Sequence, residues 1–447
     1  MKIATNRTIR RNGLATAACI ATAFAAMPAV AASAELAHPH ASNLANANAP
    51  VGKFPGVHLT LSRWSGDPWT SEQETAAKQW DKATGATITF AAVPYENLKT
   101  QQTLTLSGAG GYDMLYVHPS WFGTFAKSGF LAPISSYLGN PADNPPGFSA
   151  KSYLPSVLSQ GAYKGAQYCL PDFVSTIVVA YRKDLFAKYG LSAPTTLASV
   201  LADAKFFNGK DGMAGIALPG EATGAISDVM TSMLAAEGNY WYNKAAKATL
   251  NVADATNAVQ FYINASKYAP SGLLDDAVDD AALAGATGKA AMVISTTPSL
   301  SALNDPTKST TVGKWGFAPI EFTAGKPAGE LIYWNWCIAA KSPNVAAAYS
   351  FLQWYTNGAQ QANIAVEGST AGATYNFYTD KTVLAKLPFL PAMQAALAHS
   401  NPQPSIAQWS TLQPEIESDV QQAIEGKLTA KSAADEMKQA LDGALGA

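Results

Sequence analysis

The side chains with most chemical reach in this 447-residue chain are aromatic and polar groups placed where strands end. Trp64-Ser65-Gly66-Asp67-Pro68-Trp69 follows the alternating segment HLTLSRW, and His118-Pro119-Ser120-Trp121 follows the apolar YDMLYV. Asp172 and Phe173 precede the apolar TIVVAY. Asn239-Tyr240-Trp241 follows a helical stretch, and Tyr333-Trp334-Asn335-Trp336 sits in a single strand-like run. A flat aromatic face covers the C–H face of a hydroxylated ring, while carboxylate, amide and imidazole groups pair with its hydroxyls in fixed directions. Trp64, Trp121, Trp241, Trp334 and Trp336 are therefore the candidate stacking residues. Asp67, His118, Asp172, Glu221, Asn335 and Glu367 are the candidates for hydroxyl pairing. The set carries the inference, since any one loop tryptophan can equally be a buried anchor. Trp80 and Trp354, at helical spacing, read as core, and Asp113 at a strand start reads as a structural acceptor.

The patterns of catalysis are missing. There is no Gly-x-Ser-x-Gly elbow, no His-Glu-x-x-His and no Cys-x-x-Cys. Gly288-Lys289 is followed by Ala290 where a phosphate loop needs Ser or Thr, and SGAGGYD lacks the dinucleotide fingerprint. His38-Pro39-His40 lies in a polar tail and reads as solvated, so neither a metal nor a cofactor is expected. Glycoside hydrolysis needs only two suitably spaced carboxylates. Asp67, Asp172, Glu221, Glu237 and Glu367, all in loops with aromatic neighbours, keep a secreted hydrolase as the alternative reading.

Hydrophobic residues make up 48% of the chain and charged ones 14%, the balance of a folded chain with ample core and a neutral polar surface. The net charge of −2 and the lack of a Lys/Arg cluster after residue 11 argue against nucleic acid as partner. Lys2, Arg7, Arg10 and Arg11 head an Ala-rich apolar stretch that ends in small-residue cleavage sites, so 1–34 reads as a signal peptide. Removing its four positive charges takes the net charge from −2 to −6. Residues 35–55 read as a flexible tether. Export leaves Cys169 and Cys337; two buried thiols are expected, with a disulfide permitted by an oxidising compartment.

The candidate residues need strands and helices to hold them. HLTLSRW, ATITFAAV and YDMLYV read as strands, separated by helices over SEQETAAKQWDKAT and 95–106, with Gly85 as a stop. This β-α-β-α-β rhythm predicts a parallel or mixed sheet covered by helices, with ligands at the carboxyl ends of its strands. A second run contains TIVVAY, the helix RKDLFAKY and a largely helical region with short strands at GIAL and AAMVIST. A strand over 332–341, a helix over 345–356 and amphipathic C-terminal helices follow.

Four passages resemble extracellular solute-binding proteins of ABC transporters, carbohydrate-binding family 1. They are YDMLYVHPSWFGTFAKSGFLAPISSYL, LPDFVSTIVVAYRKDLFAKYGLSAPTT, GKAAMVIS and WNWCIAAKSPNVAAAYSFLQWYT, in the family's order. The resemblance implies an α/β, two-lobed periplasmic-binding-protein fold of type II, whose lobes are joined by crossing segments near 176–181, 331–337 and 374–380. Lobe 1 would comprise 56–176 and 337–375, and lobe 2 would comprise 177–336 and 376–447. It also implies a periplasmic, monomeric receptor that traps a sugar or polyol between the lobes and delivers it to membrane permease subunits, with no catalysis. Tyr333 to Trp336 would then face the cleft. Many relatives carry Gly-Gly before the Trp-Asn pair, whereas this chain has Ile332-Tyr333, and side chains in place of glycines should narrow or reshape the site.

Overall fold

A computed structural model describes residues 49–65, 70–357, 360–361, 371–374, 377–378 and 380–446, so the expected signal peptide lies outside the described residues. Alternation along HLTLSRW buries Leu59 and Leu61 in strand β1 (His58–Trp64), which pairs in parallel with β2 (Thr87–Val93) and β3 (Met114–Val117). The helix Thr70–Thr84 covers this sheet with Ala76, Ala77 and Trp80, and stops where Gly85 takes a φ of +84°. Asp113, leading into β3, accepts from the Thr60 amide at 2.9 Å and from the Ser342 hydroxyl at 2.5 Å, the structural role expected of it. Residues 49–55 are not the loose end of a tether. Phe54 stacks on Trp80 at 5.9 Å, and Val51 accepts a hydrogen bond from Ser350.

Strand β4 (Cys169–Ser175) joins this sheet, whereas β5 (Ile177–Arg182) belongs to another. Only Thr176 separates them. Strand β5 is the centre of a three-stranded antiparallel sheet, between β6 (Met292–Thr296) and β7 (Trp315–Ala318). The expected strand at GIAL appears as two parallel bridges, Ala214 to Ala290 and Ala217 to Val293, because the segment follows the edge of β6 without a full ladder. Against this second sheet pack the helices Lys183–Tyr189, Val278–Ala286, Leu390–Leu397 and Ala225–Ala236, and the last of these carries a further helical layer of Val252–Ser266, Trp409–Ile424 and Ala430–Leu445.

Strand β8 (Gly329–Ile338) ties the two bodies together, and all ten of its residues are buried. Its first residues pair with β10 (Ser400–Pro402), its middle with β4 and its end with β3; β9 (Ala371–Gly372) completes the sheet beyond β4. The seven-stranded sheet runs β9-β4-β8-β3-β1-β2, with β10 beside the start of β8. A Cβ on Gly329 would stand 2.4 Å from the Thr176 hydroxyl, so glycine is what lets these two segments touch. Cys169 and Cys337 face each other across β4 and β8 and are joined as a disulfide, with their Cα atoms 4.3 Å apart. This corrects the expectation of two free thiols: the antiparallel register, invisible in a linear sequence, brings the sulfurs together.

Candidate functional site

A cleft of about 230 Å³ opens between the two sheets, and its walls differ in chemistry. Trp64, Tyr95, His118, Phe173 and Trp334 supply an aromatic wall from the large-sheet side. The pleat explains why Trp334 reaches it. Trp334 and Trp336 share one face of β8, and Tyr116, directly opposite Trp336 on β3, is clasped between the two indoles at 4.5 Å from each. Trp64, the last residue of β1, stacks on Trp334 at 5.9 Å with 18° between the planes. Tyr95, at the start of the helix Tyr95–Ser107, closes over both at 5.6 and 6.1 Å. Tyr95 keeps 37% of its surface exposed at the cleft mouth. Its hydroxyl is nonetheless raised in pKa, first by desolvation and then by Asp228 and Glu417 opposite.

His118 caps the helix Pro119–Lys127. Its Nδ1 accepts from the Ser120 amide at 3.2 Å, so the proton of the neutral ring sits on Nε2. Burial pulls its pKa down to about 3, and the ring stays uncharged across the physiological range. The Trp334 ring meets it edge-on at 4.9 Å.

The opposite wall is polar. Ala225 and Asp228 come from the first turn of the helix Ala225–Ala236, Thr223 and Gly224 from the residues leading into it, Asp279 from the helix Val278–Ala286, and Gln403 and Gln413 from the C-terminal segment. Gln403 donates to Asp228 at 3.0 Å, and Gln413 donates to the Ser227 hydroxyl at 3.0 Å. The confined cleft leaves Asp228 little water, and burial pushes its carboxyl up to about 7. Behind it Glu330 is fully buried, its oxygens without a well-formed hydrogen bond among the described residues. Burial first, and then the facing Asp228, hold its carboxyl far above the usual range, which keeps it protonated.

Of the residues the sequence nominated, Trp64, His118 and Trp334 come together on the cleft lining. Trp121 stands behind them, 5.1 Å from the His118 ring, with its indole N–H donating to Gln102 at 3.3 Å; it supports the wall and does not line it. Trp336 is one strand position too deep and packs on Tyr116 and Tyr355. Asn335 points to the other face of β8 and is fully buried, its side-chain amide unpartnered among the described residues. Asp172 likewise alternates away from the cleft while its neighbour Phe173 lines it. Glu221 lies at the rim, accepting from Thr223 at 3.2 Å. Trp241 is a correction: it is fully buried against Trp409 at 5.4 Å, and its N–H donates to Thr231 at 2.8 Å. Asp67 and Glu367 lie outside the described residues. Ile332 lines the cleft, so its side chain takes part in shaping the site.

Tyr95, Asp228, Gln403 and Gln413 were not foreseen. Asp228 had a readable signal, a charged residue in the apolar helix AISDVMTSMLAA. Gln403 and Gln413 had none, because their place depends on how the C-terminal segment returns to β8. Indole faces against one wall and carboxylate, amide and hydroxyl groups on the other suit a compact ligand with apolar C–H faces and many hydroxyls. No Lys or Arg stands among the described lining residues.

Known proteins share this architecture. A family model described as bacterial extracellular solute-binding protein matches residues 66–362. The mannitol-binding protein of Pseudomonas aeruginosa is 28% identical over 320 residues, 68% of this chain and 71% of that protein. An ABC transporter solute-binding protein of Agrobacterium radiobacter in complex with ribitol has a TM-score of 0.76 at 24% identity, covering 87% of this chain and 98% of the other. Maltose-bound MalE3 of T. maritima has a TM-score of 0.76 at 21% identity, covering 87% and 100%. At such identities the structural likeness establishes the two-lobed fold.

Proposed function

The chain belongs to the bacterial extracellular solute-binding protein family, and from that membership we propose that it is the substrate-binding component of an ABC importer, taking a sugar or polyol between its lobes. The observation that carries this reading is the pairing of the Trp64–Trp334 stack with Asp228, Gln403 and Gln413 across one cleft. Indole covers the ligand's C–H faces, and the polar wall pairs with its hydroxyls. The relatives named above, with mannitol, ribitol and maltose, support the same ligand class.

Lobe 1 would comprise 56–176 and 337–375, and lobe 2 would comprise 177–336 and 376–447. Ligand contacting both lobes would favour the closed arrangement by its differential affinity for it. Export through the leader at 1–34 would deliver a monomeric receptor to the periplasm, where it meets the permease subunits. Among the described residues no helix is long and apolar enough to cross a membrane. A solute-binding component would catalyse nothing; of the five carboxylates that suggested hydrolysis, Asp172, Glu221 and Glu237 do not line the cleft, and Asp67 and Glu367 lie outside the described residues.

A thermal-shift screen against sugars and polyols tests the reading, since a ligand that binds only the native state raises its melting point. A hit confirmed by calorimetry, with no product formed from oligosaccharides, is the expected result. Shortened products that vanish in a carboxylate variant would replace the receptor with the hydrolase.

A further inference from the structure

The helix Ala225–Ala236 opens its N-terminal end on the cleft through Gly224 and Ala225. Unpaired amides at such an end attract carboxylate and phosphate groups. Here a side chain of the protein occupies them. Glu417, 193 residues further along the chain, accepts from the Gly224 amide with both oxygens at 3.0 Å and from the Ser227 amide at 3.0 Å. It is buried in the helix Trp409–Ile424, where it neither reaches solvent nor lines the cleft.

The groups facing this end extend the pattern. Asp228 is one turn along the same helix, Asp279 lines the cleft from the neighbouring helix, and Glu330 lies behind Asp228 on β8. Tyr95 and the neutral His118 face them from the aromatic wall, and Tyr262 of the helix Val252–Ser266 faces Glu417 and Asp228 with a buried hydroxyl whose pKa desolvation raises, so it stays neutral. No cation lines this cleft among the described residues. A ligand carboxylate or phosphate would find the helix end filled, acidic neighbours, and nothing to neutralise it.

We propose that Glu417 is a specificity-determining residue, an internal anion that fills the helix terminus and, with Asp228, makes the cleft refuse acidic or phosphorylated sugars in favour of neutral ones. The inference rests on the sugar-or-polyol reading and narrows it by charge. Burial raises Glu417 to about 7, with the Gly224 and Ser227 amides opposing that rise and Asp228 adding to it, and Asp228 itself also lies near 7. Refusal is therefore strongest at pH 8, where both are ionised, and weakens towards pH 5.5, where sugar acids still carry their charge.

The test is calorimetry of the mature chain at pH 8 with matched probes: mannitol against mannonate, ribitol against ribonate, glucose against glucuronate. At least one neutral probe should bind, with its acid partner about 100-fold weaker or worse. In Glu417→Gln that ratio should shrink roughly tenfold, because a neutral amide replaces the charge. Circular dichroism checks that the variant is folded. Should it fail to fold, the wild-type ratio measured from pH 8 to pH 5.5 decides, and it must fall. A wild type that binds acid and neutral partners alike, or a ratio unmoved by Glu417→Gln or by pH, overturns the proposal and leaves the receptor reading standing. Binding of no neutral probe overturns the proposal, and the receptor reading falls with it only if the thermal-shift screen of sugars and polyols is empty as well.

Discussion

Trp64 and Trp334 stack with their ring centres 5.9 Å apart, joining the end of β1 to the strand that runs between the two bodies. One indole ends a parallel strand and the other rides the crossing strand, so the aromatic wall is anchored in the large sheet. Tyr116 backs Trp334 at 4.5 Å, which leaves the indole little freedom to turn.

Trp334→Ala should weaken binding of the true sugar or polyol by about 2 kcal/mol or more, roughly 30-fold in Kd. Trp64→Ala should cost about 1 kcal/mol, the scale of one aromatic pair. Titration calorimetry checks both, with melting curves to confirm folding, since Trp334 is only 5% exposed. Unchanged affinity in Trp334→Ala would remove that ring from the site.

The strand-helix rhythm up to Gly129 was legible because each element there is local: alternation gives β1, and capping and Gly85 delimit the helix Thr70–Thr84. The aromatic half of the site was legible for a related reason. Trp64, His118 and Trp334 sit at or near strand ends, where the fold class places ligands. The polar half was not, because Asp228, Gln403 and Gln413 converge from segments far apart in sequence. Trp241 misled because a tryptophan in a loop-like stretch looks the same whether its partner is a ligand or Trp409. Asn335 and Asp172 misled through the pleat, which turns alternate residues of a strand to opposite faces.

Stability should depend on pH through the same carboxyls. Asp228 and Glu417 titrate near 7 in the folded chain, against about 4 for unperturbed carboxylates. A raised folded pKa means that the native state holds protons the unfolded chain has released between these values. Their contribution is thus fully present below about pH 4 and is lost as pH rises through 7. Scanning calorimetry should show the melting temperature falling from pH 5 to pH 8, and the double variant Asp228→Asn, Glu417→Gln should flatten that slope. A slope identical in the variant would place the titration elsewhere.

The disulfide between Cys169 and Cys337 closes a separation of 168 residues, long enough for cross-linking to restrict the unfolded chain strongly. Replacing both cysteines with alanine should cost roughly 2–5 kcal/mol in denaturant unfolding. The bond joins β4 to β8 within one sheet and does not bridge the cleft, so ligand affinity should survive wherever the variant is folded. A large drop in affinity with stability intact would mean that the bond positions the crossing strand.

Trp241 separates core from site most cleanly. Its indole is fully buried, packs on Trp409 and donates to Thr231, all within the second body and away from the cleft lining. Trp241→Ala should therefore destabilise the protein by about 3–5 kcal/mol, the range for deleting a large buried aromatic side chain. Trp241→Phe, which keeps most of the volume but abandons the Thr231 hydroxyl, should cost less. In both variants, at a temperature where the chain is folded, Kd for the sugar or polyol should match the wild type. A tenfold loss of affinity in Trp241→Phe, with the melting curve barely moved, would return Trp241 to the binding site.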